Sequence, residues 1–380
     1  MEHLLSARAR SMDASGIRRV FDLGARLERP INLSIGQPDF AVPEPLRRAL
    51  SHAALENRAG YSVTQGIAPL LEAIWAHLER DIGWRGPSED LGCIVTSGTS
   101  GGLLLAAMAL LDPGDEMIAG DPFFVLYPQL GPLTGGRVVL CDTYPDFRLT
   151  AERVEPLITE RTKALILNSP SNPCGTVLSG AEILDLVDLC RRRRVLLITD
   201  EIYDLFCFED GREQGRCPSP ARAGEQCLLI RGFGKTYGCT GWRVGYAAGP
   251  RRLVQEMAKI QQYTFVCAPT PAQHALVGAF ECDLSPIVAE YQRRRDLVVA
   301  AFDGVTSVPR PAGAFYAFVE VPPRLGMSGT EFVERAIERS VLVIPGKVFS
   351  RRDTHFRLSY ATRPDHLEEG LAILRELMSG

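Results

Sequence analysis

The chain has 380 residues, of which 46% are apolar and 23% charged, the balance of an ordinary globular protein with a sizeable core. A formal charge of −4 excludes the strongly basic character that nucleic-acid binding demands. The N-terminal MEHLLSARARSMDASGIRRV lacks the apolar centre of a signal peptide, no stretch is expected to span a bilayer, and ten cysteines without a C-x-x-C pair or zinc-type spacing point to a reducing cytoplasm and to no metal.

INLSIGQPDF, residues 31–40, reads as a strand leaving a first helix. From about residue 90, short apolar runs alternate with helix-length segments. The predicted strands are CIVTS (93–97), EMIAG (116–120), RVVLCD (137–142), KALILN (163–168), VLLITD (195–200), CLLIRGF (227–233) and VGYAAG (244–249). Helical patterns at 101–111 and 181–194 lie between them. This alternation predicts an α/β fold with a mainly parallel sheet flanked by helices. After about residue 250 the pattern changes to a long helix at 285–302, then strand-like FYAFVEV (315–321), VLVIP (341–345) and HFRLSYA (355–361). The expected organisation is a large domain over 45–284 and a smaller α+β domain formed by both termini, 1–44 and 285–380. The basic runs Arg191–Arg194 and Arg293–Arg295 read as solvated helix faces, with a partner surface as the alternative.

In open α/β sheets, ligands gather beyond the carboxyl ends of the strands. There the sequence has SGTSGG, DPFF, NSPSNPCG, DEIY and GFGKTY. The Gly234-Lys235-Thr236 tripeptide suggests a P-loop, but that motif needs a glycine five residues before the second one. Leu229 stands there, inside a predicted strand, so Lys235 requires another explanation. Glycines Gly98, Gly101 and Gly102 open an apolar helix and suit an anion at its N-terminus, although a plain helix cap would look the same. Asn172 sits in a turn signal, and Asp200 finishes a strongly apolar strand where a lone carboxylate is costly. Tyr203 follows three residues later, and Arg243 eight residues after Lys235. A phosphate cradle, a carboxylate, a lysine and an arginine are together what pyridoxal 5′-phosphate requires of a protein. No strand followed by GxGxxG and an acid occurs for a dinucleotide.

With these residues in view, the chain resembles the class I/II aminotransferases of the fold-type-I pyridoxal-phosphate (PLP) enzymes, from INLSIGQPDF to FRLSYA. GFGKTYGCTGWRVGY is similar to the family's Schiff-base segment. The resemblance implies that Lys235 binds the cofactor covalently and that Arg243 clamps its phosphate. It implies Asp200 on the pyridine nitrogen, Tyr203 and Asn172 on the phenolic oxygen, and Gly98, Thr99 and Ser100 around the phosphate. Phe124 takes the ring-stacking position. Tyr61 resembles the tyrosine that reaches a neighbouring subunit's phosphate, which implies a homodimer. Arg357 resembles the arginine that forks onto the substrate α-carboxylate, and Gly36 lies where backbone packs against substrate. Gly232, Gly234, Cys174 and Phe124 depart from commoner residues, none of them removing an indispensable group. The expected activity moves an amino group from an L-amino acid to a 2-oxo acid such as 2-oxoglutarate. No second arginine is identifiable for a side-chain carboxylate, and Ser100 stands where some acidic-substrate relatives carry lysine. A neutral, apolar or aromatic donor is therefore expected. The alternatives are a PLP-dependent C–S lyase or synthase of the same fold, or a PLP-binding regulatory protein.

Overall fold

The computed structural model describes residues 2–12, 16, 24 and 27–379. The helix expected ahead of Ile31 falls largely outside these residues. Twelve strands lie among the described residues, numbered here in chain order. Seven form the central sheet: β2 (Leu91–Ser97), β3 (Glu116–Asp121), β4 (Arg137–Asp142), β5 (Thr162–Asn168), β6 (Leu196–Asp200), β7 (Cys227–Gly232) and β8 (Val244–Pro250). Their order is β2-β8-β7-β6-β5-β3-β4. The mainly parallel sheet expected from the apolar runs is present, with β8 alone running against both neighbours. The reversal follows from chain length. Parallel neighbours need a crossover of a dozen or more residues, usually a helix. Between β7 and β8 there is only a one-turn helix, Phe233–Thr236, and a 3₁₀ turn, Thr240–Trp242. That short return carries Lys235.

Both faces of the sheet are covered. One side packs residues such as Leu70, Ile74 and Leu78 from the helix Ala68–Ile82 and Leu186 from Gly180–Arg193. The other packs Leu103 and Ala106 from the helix Gly98–Leu110 and Met257 from Arg251–Tyr263. Strands covered on both sides must be apolar throughout, which is why they read as continuous runs rather than alternating ones.

The remaining strands form two small sheets over a separate core. One is the antiparallel set β11 (Ile344–Pro345), β12 (His355–Ser359) and β9 (Tyr316–Glu320); the other pairs β1 (Ile31–Asn32) with β10 (Val341–Leu342). Two expectations need correction here. VLVIP is not one strand: at Val343 the chain passes from pairing with β1 to pairing with β12. INLSIGQPDF is strand for only two residues, because the Asn32 side chain accepts hydrogen bonds from the Ser34 amide at 3.0 Å and the Ser34 hydroxyl at 2.7 Å. Such a side-chain turn competes with the ladder.

The arginine runs also divide. Arg191–Arg194 are exposed as expected. Arg293 is exposed, but Arg294 and Arg295 are 8% and 1% accessible, so the solvated face expected for 293–295 is overturned. Three consecutive helical residues spread over some 200° and cannot share one face. Arg294 reaches both carboxylate oxygens of Asp39 at 2.9 Å. Arg295 is held by Asp210, Asp296 and the Pro311 carbonyl, with its guanidinium 4.9 Å from the Phe208 ring centre.

Candidate active site

The carboxyl ends of β2, β3, β5, β6 and β7 open on a cavity of about 250 Å³. Every candidate residue except Tyr61 lines it: Gly36, Gly98, Thr99, Ser100, Phe124, Asn172, Asp200, Tyr203, Lys235, Arg243 and Arg357. Tyr61 is 88% exposed on the surface of the single chain.

One end of the cavity is built for an anion. Gly98 opens the helix Gly98–Leu110 with φ +67°, and a Cβ there would lie 2.7 Å from the Arg243 guanidinium. A Cβ on Gly245 would press equally close to the Gly98–Thr99 peptide. Glycine at both places lets the Arg243 cation stand against the first amides of the helix, whose dipole favours negative charge. Arg243 donates to the Thr240 carbonyl at 3.2 Å and has no carboxylate partner among the described residues.

Lys235 lies in the middle, its amine against the Gly36 carbonyl. Burial, then the charges of Arg357 and Arg243, lower its pKa to about 8. On the floor stands Asp200, the only acid lining the cavity among the described residues. Burial lifts its pKa to about 6, against the hydrogen bonds it accepts from Tyr127 at 2.8 Å and the Ile202 amide at 3.3 Å.

At the far end Arg357 is fully buried without a carboxylate partner among the described residues. It donates to Asn172 Oδ1 at 3.1 Å and the Ser34 carbonyl at 2.9 Å, while its Nε has no partner. The rings of Tyr316 and Phe349 stand 4.5 and 4.4 Å from the guanidinium carbon. A buried cation with an orphaned donor is costly unless an anion completes it. Asn172 also reaches Tyr203 Oη at 3.4 Å, and Tyr203 Oη lies 3.1 Å from Tyr316 Oη.

Several lining residues escaped the sequence reading: Tyr127, Asn168, Ile202, Thr240, Val244 and Tyr316. Asn168 had a readable signal, a polar residue ending an apolar strand. Its side chain accepts from the Asn172 amide at 2.8 Å and donates to the Asp200 carbonyl at 2.9 Å, tying the two loops together. Tyr316 gave no signal, since aromatic residues in a strand usually read as core.

A mainly parallel sheet carries at its carboxyl edge a lysine, an acid and two arginines without a carboxylate partner among the described residues, and its fold is that of the aspartate aminotransferases. Solved structures agree: aspartate aminotransferase from Thermotoga maritima superposes with TM-score 0.92 at 31% identity, covering 99% of this chain and 100% of that one. Thermus thermophilus aspartate aminotransferase with maleate gives 0.90 at 34% identity, covering 98% and 99%. The chain belongs to the family described as aminotransferase class I and II, which it matches over residues 28–374, and it is a PLP-dependent aminotransferase. Similar sequences include a probable aspartate aminotransferase of Methanocaldococcus jannaschii, 36% identical over 98% of this chain and 100% of the relative. Aromatic-amino-acid aminotransferase 2 of Thermococcus litoralis is 33% identical over 98% of both. Among the described residues no helix is long and apolar enough to cross a membrane.

Proposed function

We propose that this cavity binds pyridoxal 5′-phosphate through Lys235 and moves an amino group from a neutral, apolar or aromatic L-amino acid to a 2-oxo acid such as 2-oxoglutarate. One observation carries the reading. Among the described residues three cations, Lys235, Arg243 and Arg357, share a cavity with a single acid, Asp200, and that imbalance suits a ligand pair with a phosphate at one end and a carboxylate at the other. The glycine-lined cradle at Gly98 and Gly245, which a Cβ would fill, supports the phosphate assignment with Thr99 and Ser100 beside it. The orphaned Arg357 Nε supports a substrate carboxylate held by the guanidinium fork, with Asn172 and Gly36 alongside.

Bound PLP supplies an aldehyde for an amine and a protonated ring that draws electrons from the carbon bearing the amino group. The protein supplies the rest. The lowered pKa leaves a useful fraction of Lys235 neutral near pH 8, so that its Nζ can take and return a proton at the substrate α-carbon. Asp200 would accept a hydrogen bond from the ring nitrogen and so keep that nitrogen protonated. Tyr203 and Asn172 would hold the cofactor's phenolic oxygen, and Phe124 would stack on its ring.

Among the described residues every lining cation already has a task in this scheme, leaving none for a side-chain carboxylate; this supports an uncharged donor side chain. Names among the relatives span both aspartate and aromatic amino acids. The exposed Tyr61, with Val63, Tyr263 and Phe265 also at the surface, supports a homodimer in which Tyr61 completes the partner's phosphate site. The pairing of β1 with β10 supports a small domain of residues 1–44 and 285–380 beside a large one of 45–284. Ten free cysteines are consistent with the cytoplasm. Adding single amino acids to PLP-loaded protein and following the cofactor absorbance tests the substrate class. Phenylalanine, methionine or glutamine should convert the band, and conversion by aspartate alone would refute the uncharged-donor reading.

A further inference from the structure

Tyr127 stands outside every role assigned above, yet it touches Asp200. It begins the helix Tyr127–Thr134 and is 3% accessible. The ring sits in the core cluster that contains Leu130 and Ile166, with Phe124 edge-on at 5.6 Å between centres. Its hydroxyl donates to Asp200 Oδ2 at 2.8 Å, while Asp200 Oδ1 accepts only the longer bond from the Ile202 amide, at 3.3 Å. No arginine or lysine pairs with Asp200 among the described residues. The carboxylate therefore has one well-placed side-chain donor, and that donor comes from a different strand connection than Asp200 itself.

We propose that Tyr127 is a positioning residue for the transamination chemistry: its hydroxyl fixes the Asp200 carboxylate against the sheet and keeps it ionised, so that the free lone pairs point into the cavity toward the pyridine nitrogen of the cofactor. The inference rests on the PLP reading given above.

The physical case is one of compensation. A buried carboxylate loses its water and tends to take up a proton. The charged and titratable groups around Asp200 are Tyr127 on the helix, Glu201 and Tyr203 on its own segment, and Lys235 and Arg243 elsewhere in the cavity lining. Glu201 opposes ionisation, and burial opposes it more strongly. Tyr127 is the largest influence in the other direction, and burial beside that carboxylate raises its own pKa well above the usual phenol value. At neutral pH the hydroxyl therefore keeps its proton and can donate it to the carboxylate. Without it Asp200 would protonate at higher pH and lose one of two tethers. A protonated acid cannot hold the positive charge on a ring nitrogen.

The test is Tyr127→Phe, which keeps the ring in its packing and removes only the oxygen. Apoprotein is titrated with pyridoxal 5′-phosphate at pH 6 and pH 8. The variant should bind about tenfold more weakly than wild type at pH 6 and within roughly threefold at pH 8, because the lost bond matters most where Asp200 titrates. In steady-state assays at pH 7, kcat should fall at least about tenfold with KM changed by less than roughly threefold, the split expected of an interaction with the reacting system rather than of substrate binding. In an Asp200→Asn background, Tyr127→Phe should leave the pH dependence of cofactor binding unchanged. Should Tyr127→Phe lose thermal stability too far to be assayed, Tyr127→His, which can still present a donor, is expected to restore part of the pH 6 affinity. Equal pH profiles for wild type and Tyr127→Phe, or the same pH-dependent loss in the Asp200→Asn background, would overturn the inference. The PLP reading fails separately: it falls if wild-type protein gives no cofactor adduct on Lys235 after borohydride reduction, and it survives if the adduct forms while Tyr127→Phe changes nothing.

Discussion

A lysine amine in water is almost wholly protonated at neutral pH, and an ammonium cannot attack a carbonyl carbon. Lys235 departs from that state because it is buried and because Arg357 and Arg243 add positive charge nearby, which together bring its pKa down to about 8. The sign follows directly: below about pH 8 the amine is mostly charged and inert, and above it mostly neutral. Uptake of added PLP by apoprotein should accelerate as pH rises through about 8 and level off beyond it. Stopped-flow absorbance at fixed PLP concentration checks this, and a rate that is flat from pH 7 to 9 would contradict it. Arg357 and Lys235 are thus linked electrostatically. The same arginine is costly by itself, with a buried guanidinium, an orphaned Nε and two aromatic rings against it.

Elements decide whether those residues meet. The helix Gly98–Leu110 starts directly after β2, so its first amides open onto the same edge as Asp200 and Lys235. Gly98→Ala would force a side chain into the left-handed region and into Arg243, 2.7 Å away. Affinity for PLP should drop at least about tenfold, while the far-UV spectrum stays that of wild type; isothermal titration measures the first. Unchanged affinity would remove the cradle from the account. Much of this was legible in the sequence. Apolar strands covered on both faces have no alternating pattern to misread, and the polar residues after each run marked the functional edge. What stayed hidden depended on partners distant in the chain. Asn32 ends a strand through its own side chain, and VLVIP changes partner at Val343. Arg294 and Arg295 find Asp39 and Asp210 across the fold. Tyr127 and Tyr316 looked like core because they are core, apart from one hydroxyl each.

For the molecule as a whole, ion pairs made by two buried arginines tie the long helix Ser285–Phe302 to segments far away in sequence. Arg294 binds Asp39 in the N-terminal segment that also supplies Gly36 to the cavity, and Arg295 binds Asp210 beyond β6. Arg295 is 1% accessible, whereas Asp210 and Asp296 are partly exposed, 39% and 47% at the side chain. Truncation to alanine would leave those acids access to water but would vacate a buried site and lose the contact with Phe208. Arg295→Ala should destabilise the protein by about 3 kcal/mol through the vacated site and lost packing, seen as a lower urea midpoint with little change in slope; a shift under about 0.5 kcal/mol would contradict the packing described. The amine of Lys235 stands at the carboxyl edge of the sheet, on the short return after β7. Its chemistry is read most directly by reducing PLP-loaded protein with borohydride and mapping the labelled peptide by mass spectrometry. The account predicts one phosphopyridoxyl group on Lys235 and none in Lys235→Ala; an unmodified Lys235 in PLP-saturated wild-type protein would contradict it.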